Sequence, residues 1–110
     1  MSTITASEIN ELVDALGPTL VALASGTRQR KLVAAWAAGS AIPTQGEAER
    51  MATMLRLFRE ITSFEGPDVA RAWMIADNTP VHGMPAMAIR AGDFAAAERS
   101  AHRMAEDAYW

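Results

Sequence analysis

The chain of 110 residues has no cysteine, which excludes disulfides, thiolate zinc sites and cysteine nucleophiles together. Aromatic residues make up only 6% of it, too few for the cross-strand packing a sheet needs. Lysine occurs once, as Lys31, against nine arginines, and with the alanine excess this points to a GC-rich coding genome. No apolar run is long enough to span a bilayer. The opening Met1-Ser2-Thr3-Ile4-Thr5 carries no basic residue before Glu8 and Glu11, so no signal peptide is read there and a cytoplasmic location is expected.

What remains is half apolar and 21% charged, a balance that supports a packed core. Alanine alone fills 23 positions, which favours close-packed helices. The net charge of −3 gives no electrostatic case for nucleic acid or membrane taken whole. Its distribution says more. Residues 1–62 carry six charges of each sign, whereas 63–110 carry four basic and seven acidic residues. No acid stands between Asp14 and Glu47, and Arg28, Arg30 and Lys31 lie in the middle of that gap.

Start and stop signals divide the chain into seven expected helices, an all-α protein with a joint near residues 63–66. Thr5-Ala6-Ser7-Glu8 and Thr44-Gln45-Gly46-Glu47 are capping boxes, and Gly17-Pro18 and Gly66-Pro67 each end one helix and begin another. A third helix is expected from Thr27 to about Trp36, stopped by Gly39 and Pro43. On the long helix from the second capping box to about Thr62, Ala48, Met51, Leu55, Phe58 and Thr62 form one stripe. Met54, Leu57 and Ile61 form another beside it. So wide an apolar arc is either core on two sides or a seam for a second copy. On the fifth helix Val69, Ala72, Trp73 and Ala76 are expected inward, and Pro85 and Asp93 start the last two.

Leu20 to Pro43 has the parts a helix-turn-helix needs: a short helix, a glycine turn at Gly26, and a second helix led by polar and basic residues. Arginine and glutamine suit guanine and adenine edges, and lysine suits phosphate. A solvated helix start is the plainer reading of Arg28–Lys31, but cations at a helix N-terminus oppose its dipole, which favours a functional reason. The spacing Leu20…Gly26-Thr27…Trp36-Ala37-Ala38-Gly39…Pro43 resembles the Xre-type helix-turn-helix of bacterial and phage repressors. By that resemblance Thr27, Arg28, Gln29, Arg30 and Lys31 head the recognition helix, and Ser40, Thr44 and Gln45 approach the DNA backbone.

The segment Ala70-Arg71-Ala72-Trp73-Met74…Asn78-Thr79-Pro80-Val81-His82-Gly83-Met84-Pro85…Ile89-Arg90-Ala91-Gly92 carries a second resemblance. It is similar to the toxin-binding domain of the Xre/MbcA/ParS antitoxin family, in which an Xre-like lobe also comes first. Two details depart from that pattern: Met84 stands where the family often has threonine before the proline, and Asn78-Thr79-Pro80 contains an extra residue. The resemblance implies a helix-turn-helix lobe over 1–62 and a small toxin-binding lobe over 63–110. It implies an antitoxin that covers the active-site entrance of a RES-domain, NAD-degrading toxin and represses the shared operon at its operator DNA. Asn78, His82, Gly83, Pro85, Arg90, Tyr109 and Trp110 are the residues expected to meet the partner. Tyr109-Trp110 either anchors that interface or folds back onto the last helix.

Two other readings fit the same residues: a stand-alone Xre-like DNA-binding regulator whose C-terminal lobe dimerises or binds protein, and a pure protein-binding module. Homo-oligomers, or hetero-oligomers with the toxin, are expected, since helix-turn-helix proteins read paired half-sites. An enzyme is not expected. His82 and His102 have no ligand spacing, and the chain holds no phosphate-cradling glycine loop or nucleophile elbow, so neither metal nor cofactor is read.

Overall fold

Helix ends decide where this chain turns. In a computed structural model, which describes residues 4–77 and 83–107, both capping boxes form. Thr5 Oγ1 accepts from the Glu8 N–H at 3.1 Å and the Glu8 carboxylate accepts from the Thr5 N–H at 3.0 Å, starting α1 (Ala6–Leu16). The same pair of bonds between Thr44 and Glu47, at 2.9 and 3.2 Å, starts α4 (Gln45–Glu65). Gly17 and Gly66 make one device twice. Each has φ near +85°, at 85 and 88, with ψ of 154 and 166, a conformation essentially restricted to glycine. It lets a closing N–H reach Val13 or Thr62 while the next residue, a proline, opens α2 (Pro18–Ser25) or α5 (Pro67–Ile75).

The remaining elements are α3 (Lys31–Ala38), α6 (Pro85–Arg90) and α7 (Phe94–Asp107), with no β-strand among the described residues. Asp93 caps α7 through a 3.2 Å bond from the Ala96 N–H. No helix among the described residues is long and apolar enough to cross a membrane.

The spine is α4, which packs against α1, α2, α5, α6 and α7. Both of its stripes are used within the one chain: Met51, Met54, Leu55, Leu57, Phe58 and Ile61 are all buried. The wide arc is therefore core on two sides and leaves no seam there for a second copy. The expected division between residues 62 and 63 falls inside α4, which runs on to Glu65. Across it α2 packs on α6, and one buried cluster runs from Ile4 to Ala101. The radius of gyration, 13.2 Å, is close to the value of about 13 Å for a single compact body of this length.

Only part of the expected inward face of α5 is correct. Trp73 is buried with Ala70 and Met74, but Val69, Ala72 and Ala76 are exposed. The buried arc is rotated because Trp73 points at α7, where its Nε1–H donates to Ser100 Oγ at 2.9 Å. Val69 is pushed to the rim. Exposed ties brace the outside, among them Arg56 to Glu98 at 2.7 Å and Arg59 to Glu11 at 2.6 Å.

Two outcomes follow from these contacts. Trp73→Phe removes the donor to a buried hydroxyl and leaves a gap, so urea unfolding followed by circular dichroism should show a loss of about 2 kcal/mol. The hydrogen bonds from Arg59 hold the Glu11 carboxyl below its ordinary range. A lowered folded-state value contributes stability that is present above the ordinary carboxylate range and lost as the pH falls through the lowered value. Glu11→Gln should therefore flatten the acid side of the stability–pH curve and leave the neutral side nearly unchanged, since the pair is exposed.

Candidate nucleic-acid interface

The basic residues are presented by a turn, not by a helix. Gly26 ends α2 in the left-handed conformation, with φ 89. Ser25 is buried beneath it, its Oγ donating to the Ala22 carbonyl at 2.9 Å and accepting from the Thr27 N–H at 3.3 Å. Thr27 then accepts from the Gln29 N–H at 3.2 Å, closing a local turn. Leu32 and Val33 donate to the Gln29 and Arg30 carbonyls at 3.0 and 3.1 Å, so the entry to α3 is wound tightly, three residues back instead of four. This corrects the expected start of α3. Thr27, Arg28, Gln29 and Arg30 precede it, and Lys31 is its first residue. The threonine hydroxyl competes locally for a backbone donor, which is why a cap signal two residues earlier did not carry the helix with it.

Arg28, Gln29, Arg30 and Lys31 are exposed and Thr27 is half-buried. Arg30 folds back along α2, its Nη1 donating to Thr19 Oγ1 at 3.1 Å. Among the described residues no ion pair takes up Arg28, Arg30 or Lys31. The cations stand on a projecting surface. A groove of about 460 Å³ does lie between α1 and α3, lined by Asn10, Val13, Pro18, Val33, Ala34, Ala37 and Ala38, but the cationic turn is not part of it. A projecting cationic turn suits an extended polyanion better than a small enclosed one.

The polar residues after α3 are engaged inside the molecule. The Ala35 carbonyl accepts from the Ser40 N–H at 2.9 Å, the Ala41 N–H at 3.3 Å and Ser40 Oγ at 3.2 Å, which closes the helix end. Thr44 Oγ1 belongs to the capping box, and the Gln45 amide donates to Glu49 at 3.0 Å. In that loop the side chain that projects is Ile42, 91% exposed, which nothing in the sequence pattern singled out.

The expected partner residues do not converge. Pro85 is fully buried, because it packs at the head of α6 against the core, and so is not available to a partner. Gly83 is half-buried. Arg90 is half-buried and reaches the other half of the chain, its Nη1 donating to the Leu23 carbonyl at the end of α2 at 2.8 Å. Asn78, His82, Tyr109 and Trp110 lie outside the described residues. His102 is exposed, with Nε2 3.7 Å from Glu60. Among the described residues no group of three histidine, aspartate or glutamate side chains is placed to hold a metal ion.

Since Arg28, Arg30 and Lys31 support nothing in the core, replacing all three by alanine should leave the unfolding free energy within about 0.5 kcal/mol of the parent value in a urea titration. No family model, curated protein or solved structure matches the chain.

Proposed function

We propose that the protein is an antitoxin-type regulator: it holds a RES-domain, NAD-degrading toxin inactive and represses its own operon by binding operator DNA through the α2–turn–α3 segment. The observation that carries the DNA side is the exposed turn of Arg28, Gln29, Arg30 and Lys31, set in a stretch with no acid from Asp14 to Glu47. Duplex phosphates would be neutralised by Arg30 and Lys31, while Arg28 and Gln29, at the tip, have the donors that guanine and adenine edges accept. The hydroxyls of Ser40 and Thr44 are committed to helix ends, so the phosphate contacts fall to the cationic turn.

The toxin side rests on the resemblance of residues 64–110 to the antitoxin family and is supported by exposed apolar side chains in that region. Phe64 is 43%, Ile75 54% and Met87 44% exposed, and Val69 joins them. Apolar side chains left outside by the core are what a partner surface uses. A stand-alone regulator is the second reading, favoured if those same side chains meet a second copy.

Binding to a duplex from immediately upstream of the coding sequence should weaken steeply with salt. The Arg28/Arg30/Lys31→Ala variant should lower the slope of log affinity against log salt by up to about 2.7. Binding equal to the parent would exclude the turn as the interface. Co-expression with the product of the neighbouring gene should give a complex on size exclusion and preserve cellular NAD⁺. Deleting Tyr109-Trp110 should release toxicity if that pair is the anchor, and a chain that elutes alone would sink the antitoxin reading.

A further inference from the structure

Three glycines surround one guanidinium. Arg50 leaves α4 near its start, and its Nε donates to the Arg90 carbonyl, at the end of α6, at 3.0 Å. A Cβ placed on Gly26 would lie 3.7 Å from Arg50 Cδ and Nε, one on Gly46 2.9 Å from Nη1, and one on Gly92 3.8 Å from Nη2. The arginine therefore lies against the α2–α3 turn, the first turn of α4 and the α6–α7 turn at once.

Arg90 completes the link. Its Nη1 donates to the Leu23 carbonyl at 2.8 Å, and the same carbonyl accepts from the Gly26 N–H at 3.3 Å. The last turn of α2 has no basic residue of its own. A guanidinium brought to that end from 67 residues away satisfies a terminal carbonyl and complements the helix dipole. Beyond Gly26 the turn has only short-range bonds, from Thr27 to Gln29 and from Leu32 and Val33 back to Gln29 and Arg30. Its orientation is thus set from behind. Both arginines are half-buried, and Arg50 Nε and Arg90 Nη1 already donate to carbonyls, which marks them as internal braces and not as phosphate ligands.

We propose that Arg50 and Arg90 are positioning residues for DNA reading: in series, they hold the α2–α3 turn at the angle that presents Arg28 and Gln29. This rests on the DNA-binding reading of that turn. It gives α6 a role in operator recognition although α6 carries no residue that meets DNA.

The test uses the full chain with Arg50→Gln and Arg90→Gln, and two readouts. Amide hydrogen exchange at Gly26, Leu32 and Val33 should quicken by about tenfold in both variants, with mid-α4 amides such as Met54 unchanged. Affinity for the upstream duplex should fall by about tenfold at each salt concentration with the parent's salt slope, whereas Arg28→Ala should lower the slope by about 0.9. Unchanged exchange at the turn overturns the inference. A reduced salt slope in Arg50→Gln overturns it too, since Arg50 would then touch phosphate itself. If the parent shows no salt-dependent binding, the DNA reading fails and the positioning role with it, while exchange still reports separately whether the arginines hold the turn. Should Arg50→Gln not fold, Arg50→Lys keeps the charge, loses the planar fork and carries both readouts.

Discussion

The arrangement of helices depends on arginine side chains that donate to carbonyl groups at the ends of other helices. Arg71 of α5 reaches the Ala15 carbonyl at the end of α1 at 3.2 Å, Arg90 of α6 reaches the end of α2, and Arg50 of α4 reaches the end of α6. Neither α1 nor α2 has a basic residue in its own last turn. Helix C-termini leave carbonyls without partners, and here a distant guanidinium supplies them. The planar fork can also serve two partners, as Arg71 does between Ala15 and Asp68. A lysine would offer a point charge without that geometry. The near-absence of lysine, which from composition alone reads only as genome bias, has a structural use at these sites.

These contacts run in one direction: the later part of the chain closes the helices of the earlier part. Combined with α4 as a spine buried on two sides, this gives seven short helices a common core without large aromatic payload. Alanine makes this possible. Ala24, Ala70, Ala86, Ala97 and Ala101 are all fully buried, and their small side chains let neighbouring helices approach closely enough for guanidiniums to bridge their ends.

Helix ends governed by local chemistry were legible in the sequence: both capping boxes, both glycine-proline steps and the Asp93 cap lie where the residue types place them. The start of α3 was not, because Thr27 signals a cap and a turn with the same hydroxyl, and only the bond to Gln29 decides between them. The inward face of α5 was misjudged because periodicity gives two adjacent arcs nearly equal apolar content. The Trp73–Ser100 bond, across 27 residues, chooses one. At the candidate interface the cations were legible as a gap in acidic residues, but the commitments of Ser40, Thr44 and Gln45 were not. Nor was the Arg50–Arg90–Leu23 series, whose members stand 40 and 67 residues apart with no local spacing to betray them.

The packing of α2 on α6 bears on how such a protein diversifies. A helix-turn-helix that closed its own helices would be a portable cassette, free to be exchanged for another with different base preference. Here α2 has its final carbonyl covered by a residue from far downstream, so a graft ending at the close of α4 would arrive with that carbonyl bare and an apolar flank uncovered. New sequence preference is then reached most readily by changing the side chains of the exposed turn one at a time, on a frame inherited whole.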